Sequence, residues 1–200
     1  MSRVEMEIAE SGSISTVAGI LYSEEDDLAW VEINRPMAAN SMSSSMVSEL
    51  RAVWTSLSTN SAVKAVILVG TGTEAFTVGL DSKAVRDTPS ALAMGPRECG
   101  VEQHLIVAVN GLARNEARVF LRDADVVVAA EHVAIDVDHF ARNGSEQVAA
   151  AAGDVPAGRI TASAGEALEL GIVDSVVPLQ ELRSLATRIA RERIAGDGER

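Results

Sequence analysis

The sequence predicts an α/β fold in which a β-hairpin leads into a twisted, mostly parallel sheet, with right-handed βα crossovers and helices packed outside. Two observations carry this. Residues 65–69, 105–109 and 124–130 are nearly continuous apolar runs, which suit strands covered on both faces. Segments with apolar residues at helical spacing alternate with them. Such alternation implies βαβ units, whose crossovers are right-handed.

In chain order, residues 17–22 read as a strand, residues 23–27 as a charged turn and residues 28–33 as the returning strand of a hairpin. Asn34-Arg35-Pro36 ends the hairpin, since proline has no N–H to give to a ladder. Residues 43–57 form a helix with Met46, Val47, Leu50, Val53, Trp54 and Leu57 on one face. Ser43 or Ser44 caps its start. Gly70-Thr71-Gly72 breaks the strand at 65–69, and Asn110-Gly111 closes the one at 105–109. A helix is expected over 113–121, and a helix remnant at 149–152. Ser163-Ala164-Gly165-Glu166 is a capping box, and the short helix that it opens stops at Gly171. Residues 172–177 read as a strand ended by Pro178, and residues 179–194 as a last helix. Residues 196–200 are expected to fray, and the 200 residues are read as one domain.

Composition narrows the function. Aromatic residues make up only 3%, so Ala, Val, Ile and Leu must build the core. The net charge of −12, without a visible basic surface, argues against nucleic acid and anionic membranes as partners. Cys99 is the only cysteine, which leaves no intrachain disulfide and no cysteine-based zinc site. His104, His132 and His139 lack metal-ligand spacing. No signal-like apolar stretch opens the sequence and no apolar run reaches bilayer length, so a cytoplasmic protein is expected. No repeat with a period of 20–50 residues is visible.

Ordered motifs point further. Strand 28–33 with Asn34-Arg35-Pro36-Met37-Ala38-Ala39-Asn40-Ser41 resembles a strand followed by N-R-P-x-x-x-N-A. Gly70-Thr71-Gly72 and Phe76-Thr77-Val78-Gly79-Leu80-Asp81-Ser82-Lys83 resemble a G-x-G turn and an F-x-A-G-x-D-x-K loop. Ala108-Val109-Asn110-Gly111-Leu112-Ala113, the following helix and the strand from Asp125 to Glu131 resemble A-V-N-G-x-A and C-D-x-x-x-A-x-E. Residues 164–174 resemble A-x-E-A-x-x-x-G-L-V-D. In this order the motifs resemble the crotonase (enoyl-CoA hydratase/isomerase) superfamily, in a short and degenerate form.

The resemblance implies a crotonase-like (ClpP/crotonase) fold and an acyl-CoA ligand. Coenzyme A would enter as part of the substrate, with no covalently bound cofactor and no metal. It also implies lyase or isomerase chemistry in fatty acid metabolism, and a homo-oligomer, trimer or hexamer. In the family, two backbone N–H groups stabilise a thioester enolate. By alignment they belong to Leu80, beside Gly79, and to Glu116, where the family carries glycine. Here a side chain crowds the site, and its carboxylate would oppose an enolate. Arg35, Gly79, Asp81, Lys83 and Arg86 align with the loops that meet coenzyme A.

The two glutamates of the hydratases fall on Val119 and His139, or on Asp138 if the alignment slips by one. Val119 cannot transfer a proton, so two-glutamate hydration is not expected, whereas His139 suits a one-base mechanism. Asp136 is a weaker acid/base candidate. The segment 141–161 is shorter than its family counterpart, and the helical extension after the last helix is trimmed. A non-catalytic acyl-CoA binder or partner subunit is the alternative to an enzyme, and a structural relative that binds neither is the third reading.

Overall fold

The computed structural model describes residues 15–87, 94–137 and 161–198. Strands β1 (Ser15–Val17), β2 (Ile20–Glu25) and β3 (Leu28–Ile33) form an antiparallel meander. The expected hairpin is present, but Glu24 and Glu25 belong to its strand. Pairing runs on to Glu25 opposite Leu28, and the turn shrinks to Asp26-Asp27. Asp26 takes φ +56°, a left-handed conformation that aspartate tolerates better than most residues. Glu24 accepts hydrogen bonds from the Tyr22 hydroxyl and the Asn60 amide, so its charge is held at the strand surface.

Helix α1 (Ser44–Thr59) buries all six residues of the expected apolar face, and the Ser43 side chain accepts from Met46 N at its start. Trp54 is fully buried and its indole N–H donates to the Met94 carbonyl at 3.0 Å. Strands β4 (Ala65–Gly70), β6 (His104–Val109), β8 (Val126–Ala130) and β11 (Ser175–Val177) continue the sheet in parallel, in the order β1-β2-β3-β4-β6-β8-β11. β4 is buried at every position, as its apolar run predicts. Strand β11 is shorter than expected. Ile172 and Val173 are buried, but their N–H groups bond to Ala167 O at the end of α4 (Ala164–Glu169) rather than to a strand. The capping box at Ser163 and Glu166 and the left-handed Gly171 are present as read. Helix α5 (Leu179–Asp197) runs past residue 194 to Asp197 and lies across β4, β6 and β8, burying its own Leu182, Ala186 and Ala190. The helix expected at 149–152 lies outside the described residues.

A second sheet, β10-β9-β7-β5, is made of very short strands: β5 (Ala75–Thr77), β7 (Leu112–Ala113), β9 (Ala134–Asp136) and β10 (Thr161–Ser163). The chain leaves the end of β4 to add β5, leaves β6 to add β7, and leaves β8 to add β9. This structural repeat has no visible repeat in the sequence, because strands of two or three residues leave no periodic pattern. It also corrects the helix expected over 113–121. Ala113 is a strand residue paired with Thr77 and Ile135, Asn115 takes φ +51°, and helix α3 (Ala117–Asp123) starts four residues later.

The junction between the sheets is polar and buried. Buried Asn40 accepts from Arg35 N at 2.9 Å and donates to Thr71 O at 2.9 Å and Ala75 O at 2.7 Å. Buried Asn110 accepts from Gly70 N at 3.0 Å and donates to Gly72 O at 2.8 Å. The close approach requires Gly70 and Gly111. A methyl group on Gly70 would meet Phe76 O at 2.5 Å, and one on Gly111 would meet Ala75 N at 2.5 Å. Substituting Asn40 by alanine strands buried backbone groups on three segments. The expected loss of unfolding free energy is about 2–4 kcal/mol. Urea denaturation measures it, and a loss below about 0.5 kcal/mol, the scale of a neutral surface change, would contradict this role.

Candidate functional site

The candidate site is built on the loop that leaves β5. Thr77 is buried; its hydroxyl donates to Asn40 O at 2.7 Å and accepts from Gly79 N at 3.1 Å. Met42 N donates to Gly79 O at 2.8 Å, and Asp81 N donates to Met42 O at 2.9 Å. These bonds use the groups on either side of Leu80 and leave its own N–H directed away from Met42. Gly79 takes φ +92°, a conformation that glycine adopts without strain.

The turn before α3 closes over this loop. The Asn115 side-chain amide donates to Val78 O at 2.9 Å, and Asn115 N donates to Asp136 Oδ2 at 3.4 Å. Phe120 of α3 meets Phe76 of β5 edge-on, with ring centroids 6.2 Å apart, which fixes the helix against the second sheet. The backbone N of Glu116 comes within 3.2 Å of where a Gly79 Cβ would stand. Among the described residues it donates no hydrogen bond. The half-buried Glu116 side chain turns back over Gly79, and its Oε2 accepts from Leu80 N at 2.9 Å. The backbone nitrogens of Leu80 and Glu116 thus both lie beside Gly79, and a Glu116 carboxylate oxygen stands there with them.

The charged candidates divide. Arg35 Nη1 pairs with Asp81 Oδ2 at 3.1 Å and donates to Ser41 O at 3.2 Å, so it braces the loop. Asp81 also accepts from Lys83 N at 3.1 Å and Ala84 N at 2.9 Å, capping α2 (Ser82–Asp87). Its carboxyl is held below the usual range, first by the Ala84 N–H and then by Arg35. Lys83 and Arg86 are exposed on α2. Arg114 and Arg118 are exposed, and no ion pair forms on either among the described residues. Val119 is buried in α3. Asp136 Oδ1 is buried and, among the described residues, has no partner, while His139 and Asp138 lie outside the described residues.

Asn115 escapes sequence reading as a clamp, although asparagine before a helix at a left-handed position is the signal that could have found it. Nothing in the sequence gives the direction of the Glu116 carboxylate. A cavity of about 260 Å³ lies elsewhere, between Gly70-Thr71-Gly72 and Leu179, Leu182 and Arg183 of α5. Among the described residues no cluster of side chains suits a metal, and no helix is long and apolar enough to cross a membrane.

Residues 23–197 match the profile described as enoyl-CoA hydratase/isomerase. The chain belongs to that family. It is 28% identical over 201 residues to a mevalonyl-coenzyme A hydratase of Aspergillus fumigatus, covering 88% of this chain and 72% of the relative. It is 25% identical over 199 residues to the short-chain-enoyl-CoA hydratase of Clostridium acetobutylicum, covering 88% and 75%. Among solved structures, an enoyl-CoA hydratase from Bacillus anthracis superposes with a TM-score of 0.69 at 26% identity, covering 87% of this chain and 76% of that one. The fold is crotonase-like, as the motif order implies.

The Asp81 cap and ion pair make a prediction for this family member. A carboxyl whose folded pKa is lowered adds stability that is present above its unfolded pKa and fades as pH falls through the folded value. Asp81→Ala is therefore expected to be less stable than the parent at pH 7. The gap should narrow below about pH 4, the ordinary aspartate range. Urea titrations at both pH values measure it, and a gap unchanged by acid would contradict the assignment.

Proposed function

We propose that this member of the enoyl-CoA hydratase/isomerase family is an acyl-CoA enzyme whose Leu80 and Glu116 N–H groups receive the thioester oxygen and stabilise its enolate. The observation that carries the reading is the Glu116 carboxylate oxygen 2.9 Å from Leu80 N, bordered by the Glu116 N–H. A space that accepts one anionic oxygen is suited to another. Coenzyme A enters as part of the substrate, and the family's hydratases act on CoA esters, as the names of the relatives state.

Exposed Lys83 and Arg86 meet the CoA phosphates, while Arg35, Gly79 and Asp81 shape the loop that receives the ligand. Val119 offers no proton, so one base acts in place of two glutamates. His139, or Asp138 beside it, follows directly on Asp136 and Val137 after β9, and histidine titrates in the working range. Such a site removes a proton next to the thioester carbonyl while the two N–H groups hold the charge on oxygen. We further propose lyase or isomerase chemistry on fatty acyl groups, a cytoplasmic location, a trimer or hexamer, and no nucleic-acid or membrane partner.

One observation favours a second reading, a non-catalytic acyl-CoA binder: Val119, on which one of the hydratase glutamates would fall, is buried and apolar. Calorimetric titration with acyl-CoAs from acetyl to long-chain, against free CoA, tests both. Acyl-dependent binding with Kd of roughly micromolar, about −8 kcal/mol, is expected. His139→Ala should abolish turnover of the tightest ligand and leave its affinity unchanged. Turnover that survives His139→Ala would remove the base, and binding by none of the panel would remove both readings.

A further inference from the structure

Glu116 is asked to do two incompatible things. Its backbone N–H borders the space over Gly79, where the thioester oxygen is received, yet its own carboxylate stands in that space and takes the Leu80 N–H at 2.9 Å. Gly79 has no side chain to hold the carboxylate off, and a Cβ there would collide with Glu116 Oε2. Asn115 fixes the approach, because its side chain binds Val78 O at 2.9 Å and keeps the turn before α3 against the loop. Both sides of the space are thereby tied down, the loop through Thr77 and Met42 and the turn through Asn115. The lightest moving part is the Glu116 side chain itself.

We propose that Glu116 is an internal competitor for the thioester site: an acyl-CoA binds only by displacing the carboxylate from Leu80 N–H. This rests on the acyl-CoA reading above and specifies how the site is controlled. Apparent affinity falls by the fraction of molecules in which the carboxylate is seated. Ligands that offer the donors only a weak acceptor are selected against, because they must replace a charge-assisted bond. Glu116 is therefore a specificity-determining residue through its side chain, separately from any part its N–H plays.

Butyryl-CoA, a saturated thioester, is titrated by calorimetry into the parent protein, Glu116→Gly, Glu116→Asp and Glu116→Gln. Glu116→Gly removes the competitor and should bind about 10- to 100-fold tighter, the range for releasing one hydrogen bond to a charged group. Glu116→Asp keeps the charge but loses one methylene of reach, so it should also tighten. Glu116→Gln keeps the reach and should stay nearer the parent. Parent-like affinity in both the glycine and aspartate variants would overturn the competition and leave the acyl-CoA reading standing. Absence of binding in the parent and every variant would overturn that reading and the competition with it.

A measurement on the parent protein needs no variant to fold. On saturation with butyryl-CoA, the side-chain carboxyl ¹³C resonance of Glu116 should move to the position of a solvent-exposed glutamate. A resonance unmoved in the saturated complex would overturn the proposal.

Discussion

Two asparagines buried where the sheets meet hold the rest of this structure in place. Asn40 and Asn110 satisfy the ends of β4 and β5 and the turn at Gly70-Thr71-Gly72, so the chain can leave the large sheet and begin the small one without stranding polar backbone. A buried polar group left unpaired costs more than a hydrogen bond returns, so these side chains have few replacements. Gly70 and Gly111 complete the constraint by letting backbone approach backbone where a methyl group would collide. Of the four polar or charged residues buried among the described residues, Asn40, Thr77 and Asn110 all belong to this joint, and only Asp123 lies outside it.

The candidate site is the outer end of that joint. The Asn40 carbonyl holds the Thr77 hydroxyl, which holds Gly79 N, and the bonds to Met42 leave Leu80 N–H turned away from Met42, where it meets the Glu116 carboxylate. The function proposed for this site rests on backbone donors, and backbone donors survive side-chain replacement. Valine stands at 119, glutamate stands at 116, and the Glu116 carboxylate reaches the donor beside it. A shared fold with a rebuilt site is how function diverges on one architecture.

Much of this was legible in the sequence. Long apolar runs gave β4, β6 and β8, because strands buried on both faces carry unbroken Val and Ile. The capping box at Ser163 and the face of α1 were equally plain, since local hydrogen bonding and helical spacing leave fixed offsets. The second sheet was not, because β5, β7 and β9 have two or three residues and are held by tertiary pairing. The motif order implied that Leu80 and Glu116 share one site and that a side chain crowds it. It could not give the direction of the Glu116 side chain, which depends on a left-handed Asn115 and on Leu80, 36 residues away in sequence, arriving beside it.

The most direct measurement is a crystal structure of the protein with a butyryl-CoA analogue in which a methylene replaces the thioester sulfur. The ligand's carbonyl oxygen should stand about 2.7–3.1 Å from Leu80 N, with the Glu116 carboxylate displaced. An analogue bound elsewhere, with Leu80 N–H still on Glu116, would contradict the placement of the site.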